Sequence, residues 1–239
     1  MTYFNPLISF VNDFIRRIAF LAFLATPLLA AEPTALELVR SVRLSQGAQH
    51  RILKGELRCE GKTTPFRLVL NGNEIRYEFS NPAQTYVLHL GDKSSRLDEI
   101  TKDGTARVTA ARFGEPIRGT SVTCEDLALR FLYWPEAQFL SDDAMGPVAY
   151  SRIELHPEHD GESQYAKVLA WVAKKFDGVL GKAECYTADG KKAVLMRVVN
   201  TQTLDDGTRF LKELAIERLH DGSSEDKDRT VLVILGEEK

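Results

Sequence analysis

From His156 to Asp160 the chain reads His-Pro-Glu-His-Asp, two imidazoles and two carboxylates within five residues. These are groups that zinc or another divalent ion accepts as ligands. The spacing speaks against a metal centre. Pro157 fixes its own backbone, and neither a helix nor a strand would aim both imidazoles at one point. The stretch reads as a polar corner between strands, and no metal or other cofactor is expected. His50, His89 and His220 are isolated and read as structural or solvated. For nucleophilic catalysis there is no G-x-S-x-G elbow, no Cys–His pair of recognisable spacing and no Gly-rich phosphate loop. The acidic pairs Asp142-Asp143 and Asp205-Asp206 fall in expected turns, where Asp serves the backbone. A glycosidase needs two carboxylates facing across a cleft, and nothing marks such a pair. The chain is therefore expected not to be an enzyme, with an unrecognised hydrolase as the least favoured reading.

Cys59, Cys124 and Cys185 form no C-x-x-C pair. In an exported protein they allow one disulfide and one free thiol, or three buried thiols. Export is the expectation because residues 1–31 have the build of a secretory signal. Arg16 and Arg17 precede a short apolar run, Ile18 to Ala31, that ends in Ala30 and Ala31. Broken by Thr26 and Pro27, the run falls short of the about 20 apolar residues that span a bilayer. Residues 1–31 carry Asp13, Arg16 and Arg17, a net of +1, so residues 32–239 carry −4 of the whole chain's −3. That acidity argues against a nucleic-acid partner, which would want a basic face.

The elements that position these residues are mostly strands. Pro33 to Leu44 reads as a helix with Ala35, Leu36, Leu38, Val39 and Val42 at apolar spacing. It is expected as a lid across an open sheet edge. From Gln49 the period falls to two: HRILKGELRC, TPFRLVLNG, NEIRYEFS, QTYVLHLG and SRLDEIT read as strands, broken by GKTT, NGN, NPA and GDKS, with KDG after the last. Phe66, Leu68 and Leu70 share one face, as do Ile75, Tyr77 and Phe79, so one face is apolar and one wet.

The stretch Thr120 to Leu140 is predicted as one helix, with Thr123 and Asp126 as a capping box and Pro135 as its stop. Leu127, Ala128, Phe131 and Leu132 fall on one face, while Leu129, Tyr133 and Trp134 carry apolar surface nearly all round. Such a helix expects enclosure. Leu140 to Pro147 reads as a loop. Strand signals then resume in VAYSRIEL, QYAKVLAWVA, LGKAECYT, KAVLMRVVN, TRFLKELAIERL and TVLVIL, with FDG, ADG and DDG corners. TRFLKELAIERL also has helix spacing at Leu211, Leu214, Ala215 and Leu219, but its place after an Asp-Gly corner favours strand. His220 to Arg229 reads as a solvated loop and GEEK as an acidic tail. The fold class is mainly β (α+β), a strongly curved antiparallel sheet or half-open barrel of about eleven strands. Helices cover or plug its concave face. Bulky residues on both sheet and plug would suit an acyl chain, at about 0.8 kcal/mol per buried CH₂.

The run EDLALRFLYWP (residues 125–135) resembles a segment of bacterial outer-membrane lipoprotein-sorting proteins of the LolA-like superfamily. The order after it is similar too: Arg152, Glu154 and Leu155 on one strand, then Tyr165 to Val168 leading to Trp171-Val172. Ala183-Glu184-Cys185-Tyr186 follows, closed by Asp189-Gly190-Lys191. The resemblance covers residues 33–219 in order of elements and 120–219 in motifs. It implies a half-open barrel with a helical lid and a non-enzymatic carrier role. The partners would be lipid acyl chains or lipoproteins, with envelope membrane receptors for release, and the carrier would be a periplasmic monomer. Residues 32–239 would be the carrier domain. Candidate cavity residues are Leu68, Leu70, Tyr77, Phe79, Leu88, Leu127, Phe131, Leu132, Trp134 and Trp171. The alternative is a non-catalytic cell-envelope interaction module with the same fold and a filled core.

Overall fold

A computed structural model of the chain describes residues 32–47, 49–159, 161–174, 179–205, 207, 209–222 and 227–238. The expected signal segment, the FDG corner, Asp160, Asp206 and most of the polar stretch after Gly222 lie outside them. The compact unit begins at Thr34. Its first element is helix α1 (Ala35–Gly47). Thr34 and Glu37 start it reciprocally: the Glu37 N–H donates to Thr34 Oγ1 at 3.2 Å, and the Thr34 N–H donates to Glu37 Oε2 at 2.7 Å. The face bearing Ala35, Val39 and Val42 is buried.

Thirteen strands follow among the described residues: β1 (His50–Cys59), β2 (Lys62–Asn71), β3 (Glu74–Phe79), β4 (Gln84–Leu90), β5 (Ser95–Thr101), β6 (Gly104–Arg107), β7 (Glu136–Met145), β8 (Val148–His156), β9 (Lys167–Ala173), β10 (Leu180–Tyr186), β11 (Lys192–Thr203), β12 (Arg209–Leu219) and β13 (Lys227–Glu237). They form one curved, unclosed antiparallel sheet in the order β6-β5-β4-β3-β2-β1-β13-β12-β11-β10-β9-β8-β7. Two meanders are thus zipped together where β1 pairs with β13. Hairpin corners use the expected glycines: Gly72 and Gly190 have φ of 61° and 80°, which a side chain would strain. From Arg209 on, TRFLKELAIERL is strand, because Leu214 and Ile216 pair into both neighbouring strands.

The strands absent from the eleven expected are the two sheet edges, β6 and β7. Edge strands pair on one side only and have little to bury, so they lack the apolar alternation that betrays an inner strand. β6 is exposed throughout, and β7 replaces the loop expected over Leu140–Pro147. The last strand also extends further than expected, taking in residues read as loop and acidic tail.

Edges β6 and β7 are far apart in the sheet but consecutive in the chain. The segment 108–135 therefore has to cross the concave side, and residues 120–128 are buried without a break. The single helix expected here is two pieces, α2 (Cys124–Ala128) and a 3-10 turn, Arg130–Tyr133. The capping box at Thr123 and Asp126 is present. Leu129 breaks the helix in the left-handed region at φ 44° and ψ 44°, a conformation costing a non-glycine residue about 1–2 kcal/mol. Trp134 is extended ahead of Pro135. The core lies between the concave face, α1 and this crossing segment.

Candidate functional site

The crossing segment is bolted to one rim of the sheet. Asp126, with a fully buried side chain, accepts from Arg218 Nη2 of β12 at 2.6 Å and from the Tyr165 hydroxyl at 2.5 Å. The Arg218 Nε also donates to the Ser121 carbonyl at 3.0 Å. Burial works against the Arg218 charge, but Asp126 and Tyr165 outweigh it and raise the guanidinium pKa. On β13, the Thr230 hydroxyl meets Ser121 Oγ at 2.7 Å. Glu125 turns the other way. It accepts from the Ser163 hydroxyl and from the Gln164 N–H, the latter at 2.9 Å. Burial raises its pKa despite these donors.

Above this floor lies a cavity of about 760 Å³, within the roughly 300–1,000 Å³ usual for ligand sites. Its floor is Asp126–Leu129, Val42 of α1 contributes to a side, and its walls come from both meanders. Leu68, Leu70, Ile75 and Leu88 line the first meander's wall; Met196, Leu214, Ile216, Leu232 and Ile234 line the second's. Apart from the phenols of Tyr77 and Tyr150, only Gln49, His50, Arg51, Asp126, Lys182 and Thr201 are polar or charged among the lining residues. The antiparallel registers bring the start of β1, the end of β2, the end of β11, the start of β12 and the end of β13 to one rim, opposite the bolted one. Gln49, His50, Arg51, Thr201 and Phe210 belong to that rim, so the cavity is apolar in its depth and polar at its mouth. Arg43 ties α1 to the same rim, donating to the Asp92 carbonyl at 3.1 Å and lying 4.9 Å over the Tyr133 ring.

Of the residues expected to line a cavity, Leu68, Leu70, Tyr77, Leu88 and Leu127 do so. Tyr77 keeps accessible surface because it faces the hollow, yet surrounding protein pushes its phenol up to about 12. Phe79 instead packs on Phe66 and Tyr86, with ring centroids 5.9 and 6.4 Å away. Phe131, Leu132 and Trp134 are core residues between the crossing segment and its surroundings. Trp171 stands on the opposite face of β9 from the core residues Val168, Ala170 and Val172. Its Nε1 donates to Asp143 at 2.8 Å, and Lys182 Nζ lies 4.1 Å over the ring. A Trp in an apolar strand reads as core, and Trp171 is buried, but away from the chamber. Leu214, Ile216, Leu232 and Ile234 line the chamber without being expected there, and their period-two spacing is the signal that marks them.

Among the described residues no three His, Cys, Asp or Glu side chains are grouped so that they could hold a metal ion. His156 reaches Glu154 Oε1 at 2.9 Å on the same strand, and Glu154 also faces Lys167. The three cysteines are free thiols, with Cys124 and Cys185 buried and Cys59 half-buried. Burial pushes Cys124 up to about 11 and raises Cys185 further from reactivity.

Known proteins with this arrangement were found by structure. A domain from Vibrio parahaemolyticus described as outer membrane lipoprotein-sorting is 17% identical, with TM-score 0.67, covering 84% of this chain and 90% of its own. A DUF1329 family protein from Desulfovibrio piger is 15% identical, with TM-score 0.63 and coverage of 84% and 92%. A LolA superfamily protein from Nitrosomonas europaea is 16% identical, with TM-score 0.63 and coverage of 85% and 92%. At these identities the likeness is one of fold. Among curated proteins none matches the sequence. Residues 102–235 match the model of a family described as "Uncharacterized protein". The chain belongs to that family, and its fold is that of the LolA superfamily.

Proposed function

We propose that the protein is a non-enzymatic periplasmic carrier that shelters the acyl chains of lipids or lipoproteins in this cavity, serving outer-membrane lipoprotein sorting. The observation that carries the reading is the apolar chamber itself, about 760 Å³ with its charged residues at mouth and floor. The likeness to a domain described as lipoprotein-sorting supports the same reading. Uptake is passive. Chains enter at the rim and are held by burial, and a shift of α1 releases them to a membrane receptor. Ten buried methylenes contribute about 8 kcal/mol gross, equivalent to roughly micromolar binding before the cost of association. A chamber that the protein's own side chains leave unfilled weighs against a module with the same fold and a filled core. Among the described residues no helix is long and apolar enough to cross a membrane. Residues 1–31, read as a cleaved signal, lie outside the described part.

The test is to extract the purified protein with organic solvent for mass spectrometry, and to titrate it with a neutral fluorescent probe such as N-phenyl-1-naphthylamine. Bound lipid or saturable probe binding is expected. Leu214→Trp, which fills the chamber from β12, should weaken the probe about tenfold without lowering thermal stability. No extracted lipid together with no probe binding would overturn the carrier reading.

A further inference from the structure

The mouth of the chamber has a chemistry of its own. Arg51 lies directly opposite Leu70 in the β1–β2 ladder, so it shares the inner face with a core residue. Its side chain is only 15% exposed, and its Nη1 pairs with Glu237 Oε1 of β13 at 2.5 Å. A second hollow of about 620 Å³ lies at the same rim, and it shares His50, Arg51 and Leu70 with the chamber. Asn71, Glu237 and Glu238 add polar lining and Ile52 and Val69 apolar lining, and the His50 and Asn71 side chains meet at 3.1 Å. Arg51 therefore stands at the neck between the apolar chamber and a more open hollow of mixed polarity.

An amphiphile whose chain fills the inner chamber must leave its head at that neck. A guanidinium there offers a fixed fork of donors that suits phosphate or carboxylate. Glu237, twice as exposed as its partner at 31%, can turn out to water at less cost than Arg51, since its carboxylate is already partly solvated. Arg51, only half as exposed, stays closer to the wall. An anionic head can thus replace Glu237, while a neutral head gains nothing by doing so. Building on the carrier reading, we propose that the ligand is an acyl amphiphile with an anionic head, which Arg51 takes in exchange for Glu237.

Three ligands with one palmitoyl chain each test this by displacement of N-phenyl-1-naphthylamine below their critical micelle concentrations. They are lysophosphatidylglycerol with a phosphate, palmitate with a carboxylate, and neutral monopalmitoylglycerol. At least one anionic ligand is expected to bind about fivefold more tightly than the neutral one, and the tighter of the two names the head. Arg51→Gln should erase the difference while leaving the neutral ligand within about twofold. Glu237→Gln should move the other way and tighten the anionic ligands, which keeps the test decisive if the Arg51 variant folds poorly. Equal binding of all three ligands, unmoved by either variant, overturns this inference and leaves the carrier intact. Failure of the probe and of every ligand overturns the carrier reading and this one with it.

Discussion

Replacing Asp126 by alanine removes the acceptor on which four donors converge: the Thr123 N–H at 2.9 Å, the Thr123 hydroxyl at 2.8 Å, the Tyr165 hydroxyl at 2.5 Å and Arg218 Nη2 at 2.6 Å. Breaking a buried ion pair costs about 3–5 kcal/mol. Here the lower end applies, because the Arg218 side chain is 23% exposed and keeps its bond to the Ser121 carbonyl. Loss of the cap adds about 1 kcal/mol, and an orphaned Tyr165 hydroxyl about 1–3 kcal/mol. These losses overlap, so the expected total is about 4 kcal/mol, a large part of the 5–15 kcal/mol of a typical domain. In urea unfolding followed by tryptophan fluorescence, that is a midpoint shift of about 2 M at a slope near 2 kcal/mol/M. Asp126→Leu combined with Arg218→Met should recover at least half the loss, because an apolar pair needs no compensating charge. A loss under about 1 kcal/mol in the alanine variant, or a double variant as unstable as the sum of the singles, would refute the role of this pair in anchoring the crossing segment.

Glu125 gives the pH dependence. Its folded pKa is raised from 4.5 by burial, so the folded state binds the proton more tightly than the unfolded state. Its destabilising effect is full above the folded pKa and is relieved as pH falls through that value toward 4.5. Glu125→Gln should therefore raise the melting temperature relative to the wild type at pH 8, with the difference shrinking by pH 5. A difference constant with pH, or growing on acidification, would count against it. Gly55→Ala should destabilise by about 1–3 kcal/mol, since the added Cβ would sit 2.4 Å from the Phe66 ring and 2.9 Å from the Val233 carbonyl; Phe66→Leu in the same chain should recover part of this, as read by calorimetry. Ellman's reagent should find one reactive thiol, Cys59, in the native protein and three after denaturation, as the buried Cys124 and Cys185 require. Three fast-reacting thiols without denaturant would contradict their burial.

Much of the fold was legible because the signals are local. Period-two alternation marked most of the eleven inner strands, glycine-bearing corners marked the hairpins, and Thr123 with Asp126 marked the start of α2. TRFLKELAIERL was ambiguous by spacing and was settled by the corner before it. The edges β6 and β7 were not legible, since a strand with one partner and two wet faces leaves no apolar pattern.

By itself, then, the sequence determined the sheet's inner strands, its one-sided apolar face and the existence of a buried, capped segment between two meanders. Only tertiary structure decided that this segment breaks at Leu129, since its local sequence carries helical spacing through that residue, which is left-handed between α2 and the 3-10 turn. Only tertiary structure separated Leu68 and Leu214, which face the chamber, from Phe131 and Trp171, which are equally apolar but face neighbours. Period shows which face a residue shares and nothing of whether the space before that face is filled. Arg218 shows the same limit. In its strand it is an ordinary charge, and its partners Asp126 and Tyr165 lie 92 and 53 residues away. Only the crossing of the concave face brings them together.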